Sequence, residues 1–220
     1  METFIKTLIY IHAFFGGGIG LIAGFASIIV KKGSANHKLF GKVFSAGMLV
    51  SSLLSLIVTQ MPHHKNLFLF LIGIFTIYMI LAGNAALSFK SKSKESASVK
   101  DYTISYIMLL SGILMVIMAV IDWSVNQQFS ILYLIFGGLG ILMSSRDILF
   151  YKNLKNVRNK WIHHHIGKMS GALIASVTAF IVAGLHYGNI IGWLAPTILG
   201  AFYISYWIKK IKVKTRTSNY

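Results

Sequence analysis

No cysteine occurs in the 220 residues. That excludes disulfides, thiolate metal sites, iron–sulfur clusters and covalently attached c-type haem, and it says nothing about the redox compartment. Charge is scarce too: 12% of residues are charged, about half the fraction of a soluble domain. Acidic residues number 5 against 21 basic ones, and none stands in the middle of an apolar run, where ion-coupled carriers keep one. No Ser-His-Asp pattern, His-Glu-x-x-His motif or phosphate-binding loop speaks for a hydrolase. The "GGGIG" of residues 16–20 follows no strand and is no dinucleotide fingerprint. The last apolar run has no internal lysine for the Schiff base of a retinal protein.

Apolar sequence is what remains. Hydrophobic residues make up 55% of the chain, with a mean hydropathy of +0.70. This points to a membrane protein. The net charge of +16 does not signal nucleic acid, because the cations lie in short segments between apolar runs and form no basic face on a folded domain. Crossing ~30 Å of hydrocarbon takes about twenty helical residues. Seven stretches qualify: 3–30, 40–60, 67–89, 102–122, 129–151, 164–186 and 190–210. The first is too long for a secretory signal and lacks a small-x-small cleavage site, so it counts as a span.

Lysine and arginine set the direction. Lys31, Lys32, Lys38 and Lys42 lie in the first connection, and Lys90, Lys92, Lys94 and Lys100 in the third. Arg146, Lys152, Lys155, Arg158, Lys160 and Lys168 surround the fifth; Lys209, Lys210, Lys212, Lys214 and Arg216 occupy the tail. These alternate connections share one side, and only Lys6 and Lys65 fall on the other. Basic segments stay in the cytoplasm, which puts the N-terminus outside and the C-terminus inside. Trp123, Trp161, Trp193 and Trp207 fall near span ends, where amphipathic rings sit. The stretch "KSKSKESASVKD" at 90–101 reads as a solvated linker, and no segment is long enough for a second domain. The expected fold is all-α: a single transmembrane domain over residues 1–220, a polytopic bundle of seven helices.

A hexapeptide occurs twice. "HKLFGK" (37–42) and "HHHIGK" (163–168) share His-x-x-x-Gly-Lys, and each leads into a small-residue helix, "HKLFGKVFSAGMLVSS" and "HHHIGKMSGALIASVT". "MLLSGIL" of the fourth span parallels "GKMSGAL" of the sixth. We read weak helix-hairpin repeats, spans 1–2, 3–4 and 5–6, followed by a seventh span; the middle unit lacks the hexapeptide.

The segments "IHAFFGGGIGLIAGFASIIVKKGSANHKLFGKVF", "NLFLFLIGIFTIY", "HHHIGKMSGALIASVTAFIV" and "GWLAPTILG" resemble a family of predicted polytopic bacterial membrane proteins of unknown function. The resemblance covers most of the chain. It implies a multi-pass protein of the bacterial inner membrane and carries over no catalytic residue.

Ionisable groups in a span are functional candidates, because they are expensive there. His12 heads the stripe Gly16, Gly20, Gly24, whose spacing admits another helix or a flat ligand; helix packing is the favoured reading. His163 heads Gly167, Gly171, Ala175, Ala179 and Ala183 in the same way. His37 and the trio His163, His164 and His165 stand at helix N-termini on one face. The helix dipole favours neutral imidazole there, the form that binds metal or haem iron. Free backbone N–H groups, with Lys42 and Lys168, also suit an anion. The alternative is interfacial histidines that cap helices among headgroups. Arg146 should reach for the interface, and Asp147 should cap or pair across helices. Asn84 and Asp122 lie close to span ends, where single polar residues are common, and His63, His64 and His186 lie at the outer surface and read as solvated.

Three functions follow. The first is a cytoplasmic-side site of His37, Lys42, His163, His164, His165 and Lys168 that binds a small ligand such as a lipid phosphate or a metal, with His12 as a second site and membrane lipids as partners. In it the inner ends of spans two and six adjoin, and Lys42 and Lys168 point toward the headgroups. The second is b-type haem held by His37 and one of the trio; a second haem is disfavoured, because His165 and His186 are 21 residues, or ~31 Å, apart. The third is a carrier using a helix break at Pro196, or an accessory subunit without chemistry.

Overall fold

The computed structural model describes residues 2–91, 93–157 and 160–217. Lys92 and Arg158 of the basic connections lie outside these residues. Among the described residues the structure is helical, with no strand. Seven helices are long and apolar enough to cross a membrane. We number them α1 (Glu2–Ile29), α2 (Ala35–Val58), α3 (Leu67–Ser88), α4 (Val99–Ile121), α5 (Gln127–Lys152), α6 (Trp161–Gly184) and α7 (Ile190–Thr217). A single turn, Leu154–Val157, links α5 and α6.

Polar residues at the helix starts explain why the elements begin where they do. The Ser34 hydroxyl accepts the His37 N–H, Asn66 caps Leu69, and Ser98 and Asp101 cap each other's backbone reciprocally. The 90–101 linker is tied down more firmly than a solvated strap. Lys94 Nζ stands 2.8 Å from Asp101 Oδ2, 2.9 Å from Ser88 Oγ and 3.9 Å from the centre of the Phe89 ring. At the end of α1, Lys32 Nζ donates to the Ser27 and Ile28 carbonyls and faces the Trp207 ring, which fastens α7 to the first connection. Burial there pushes the Lys32 ammonium below the usual lysine range.

Helices approach closely where glycines meet. A Cβ on Gly47 would stand 2.8 Å from the Gly16 carbonyl oxygen, and one on Gly112 would stand 2.9 Å from that of Gly137. These contacts join α1 to α2 and α4 to α5. Helix α3 is the most enclosed, and its Phe75, Tyr78, Met79 and Ile80 form a central core with Phe44, Met48, Met108 and Leu173. Aromatic clusters close both ends. Phe68, Tyr133, Phe136 and Trp193 lie at one, and Phe89, Phe150, Tyr151 and Trp161 at the other, which carries the basic connections.

Pro196 does not break its helix: α7 runs through it from Ile190 to Thr217. The irregular backbone lies elsewhere, in π-helical segments Ile11–Gly18 of α1 and Phe180–Gly184 of α6.

Candidate functional site

The site is assembled around Asp147, which α5 carries one turn before its basic end. Its side chain is 2% exposed, and a carboxylate so enclosed persists only if paired and hydrogen-bonded. Three partners come from two other helices. Lys168 Nζ lies 2.5 Å and His164 Nδ1 2.8 Å from Oδ1, while the Tyr78 hydroxyl donates to Oδ2 at 2.7 Å. His164 and Lys168 are four residues apart on α6, so they share a face and reach the same oxygen. Lys168 is itself buried, with its ammonium 5.8 Å from the Tyr78 ring centre. The ring of Phe150 covers His164 at 4.3 Å.

This geometry assigns a tautomer. An ionised carboxylate only accepts, so His164 Nδ1 carries the hydrogen. The remaining ring nitrogen, Nε2, is then a lone pair when the imidazole is neutral.

Beside this network lies a cavity of about 430 Å³. Its floor is α6 at Gly167 and Gly171, and its back is Phe75 and Met79 of α3. The walls are α5, through Leu139 and Met143, and α7, through Ala201 and Ile204. Helix α6 packs on α3 and on α7, whereas α5 and α7 make no extensive contact and leave a cleft between them. Leu142 on one lip and Ala201 on the other are exposed, so the cleft opens sideways from the bundle. Polar groups gather at the basic end: Arg146, His163, His164 and Lys168. Gly167 leaves room there, since a Cβ on it would meet nothing within 4 Å.

The histidine trio is thus divided among three tasks. His163 lines the cavity, His164 holds Asp147, and His165 Nδ1 donates to the Gly83 carbonyl at 2.9 Å. His37 is anchored likewise, Nδ1 to the Ser27 carbonyl at 2.9 Å, and it lies close enough to His165 to interact electrostatically. His37 and Lys42 do not line the cavity, and Lys42 is exposed. Lys168 does not point out to headgroups; Asp147 holds it inside. The two hexapeptides therefore do not line one cavity. His12 Nδ1 donates to the Ser51 carbonyl at 2.8 Å, and its glycines carry helix contacts: a Cβ on Gly16 would stand 2.8 Å from Ser51 N. No cluster of three or more His, Cys, Asp or Glu side chains suited to a metal ion occurs among the described residues.

Sequence reasoning left Asp147 to cap a helix or to pair across helices, and missed Tyr78, whose hydroxyl sits inside an apolar run. A signal was available: Asp147 and Lys168 are opposite charges inside spans at a similar distance from the same end.

The class defined by these observations is an all-helical protein with seven helices of membrane-crossing length and a side-opening cavity. No family model, curated protein or solved structure matches the chain.

Proposed function

We propose that this chain is a multi-pass protein of the bacterial inner membrane, N-terminus outside, which binds an amphipathic ligand with an acidic head, taken laterally from the bilayer. The observation that carries the reading is the cleft between α5 and α7, apolar along its length and cationic at one end. A volume of about 430 Å³ lies within the range of small-molecule sites. In a bilayer, Leu142 and Ala201 would face acyl chains, so a lipid-like molecule could enter without crossing water. Asp147 and Lys168 cancel one another's charge, which leaves Arg146 as the cation at the cleft's end with no carboxylate partner among the described residues. Its complement is one negative charge. The asymmetry of basic connections supports a cytoplasmic position for this end.

Gly167 supplies the test. Because a side chain there meets open space, Gly167→Leu should fill the polar end of the cleft without displacing a neighbour. In purified protein we expect a fluorescent long-chain carboxylic acid to bind the native chain saturably. The variant should lose at least tenfold in affinity while its melting temperature stays within the small range typical of neutral substitutions. Equal affinity in both proteins would remove the cleft as the site.

A further inference from the structure

His164 lines the cavity with one ring nitrogen already engaged. Its Nδ1–H is committed to Asp147 at 2.8 Å, which leaves Nε2 as the ring nitrogen available to a ligand in the cleft that His164 lines. A ligand oxygen brought to that nitrogen meets lone pair against lone pair unless a hydrogen lies between them.

We propose that the cleft takes up its acidic ligand together with one proton, held between His164 Nε2 and the ligand's head. The inference deepens the reading of the cleft as an acid-binding site and rests on it. When the ligand arrives as a neutral carboxylic acid, its O–H bond breaks, an N–H bond forms at Nε2, and the electron pair stays on the carboxylate. When it arrives as an anion, the proton comes from solvent. In both cases charges then alternate along one line: Lys168 ammonium, Asp147 carboxylate, His164 imidazolium, ligand carboxylate. Each charge touches its opposite, the arrangement a low-dielectric site requires.

The surroundings favour this order. The Asp147 carboxylate stands at the Nδ1 edge of the ring, 2.8 Å away, and so leaves the Nε2 edge to the ligand. From α3 comes Tyr78, whose hydroxyl is spent on Asp147. On α5 the charged neighbour besides Asp147 is Arg146, exposed at the cleft's end; on α6 they are His163 and Lys168. Among the described residues, the α7 wall offers Thr197 and Ser205 and no ionisable side chain. Arg146 alone could attract an anion, but it does not relieve the lone-pair clash at Nε2.

The bound state holds one proton more than free protein plus free anion. Affinity therefore falls as pH rises, by about tenfold per unit at alkaline pH. Calorimetry of hexadecanoic acid binding to the purified full-length protein, repeated at alkaline pH in buffers of different ionisation heat, counts that proton directly. We expect uptake of one proton per molecule bound in the native protein and in Arg146→Gln, whose affinity is weakened. Uptake should vanish in His164→Gln, which leaves Lys168 and Tyr78 on Asp147. Binding of the acid without proton uptake, or uptake that persists in His164→Gln, overturns the proposal and leaves the cleft standing as a site. Failure of the native protein to bind hexadecanoic acid, hexadecanol or the methyl ester overturns the proposal together with the reading beneath it.

Discussion

Asp147 and Lys168 are each almost fully enclosed, and each is the reason the other tolerates burial. Replacing Asp147 by Leu strands a buried ammonium, and breaking such a pair from one side costs about 3–5 kcal/mol. Replacing both by apolar residues of similar size removes the desolvation cost together with the attraction. We therefore expect Asp147→Leu to lower the unfolding temperature strongly, and Asp147→Leu with Lys168→Met to recover most of the loss, in thermal unfolding of purified protein. A double variant as unstable as the sum of the singles would mean that the two residues act separately. This residue pair was only partly legible in the sequence. That a charge inside a span needs a partner follows from its cost. Which partner it takes depends on how α3, α5 and α6 turn about their axes, and nothing local to "SSRDILF" or "HHHIGK" reports that. Lys168 was read outward because a lysine five residues into a helix can reach the interface; the carboxylate of Asp147 gives it a nearer end point.

At the scale of elements, the seven spans were legible almost to their ends, since length and hydropathy are summed over some twenty residues and individual errors average out. The starts of α2, α4 and α6 lie a few residues earlier than the apolar runs suggest, because the polar first turns "ANHK", "VKD" and "WIHH" are already helical, two of them capped by Ser34 and Ser98. Pro196 misled because proline removes one hydrogen bond, which a long helix with neighbours can forgo. The π-helical turn around His12 had no signature beyond the glycines that permit it. Those glycines separate into two kinds. A methyl group at Gly16 or Gly47 would press on backbone atoms of the facing helix, whereas one at Gly41 or Gly167 would enter open space. Alanine at Gly16 or Gly47 should cost about 1–3 kcal/mol; alanine at Gly41 should be neutral or slightly stabilising, since glycine is a poor helix residue. Thermal unfolding of the three single variants measures the difference, and equal losses at all three positions would refute the close α1–α2 approach.

For the whole molecule, the distribution of charge decides which compartment the polar end of the cleft meets. Arg146, His163, His164 and Lys168 all lie at the end that carries the basic connections, so the orientation of the chain and the location of the ligand's head are one question. Positive segments resist export, so in the proposed orientation that end meets the cytoplasm and the 59–66 connection the outside. The chain has no cysteine, so single thiols can be introduced without background. Lys65 and Ser93 are both exposed and stand in connections at opposite ends of the bundle. A cysteine at Lys65 should react in intact cells with a membrane-impermeant thiol reagent, and one at Ser93 should react only after the cells are opened. The reverse pattern would put the acidic head at the outer leaflet and make Arg146 an exception to the retention of positive charge. Labelling of both sites in intact cells would mean that the chain does not cross the membrane as seven spans, and the sideways opening between α5 and α7 would then face water, where an apolar cleft has no reason to stay unfilled.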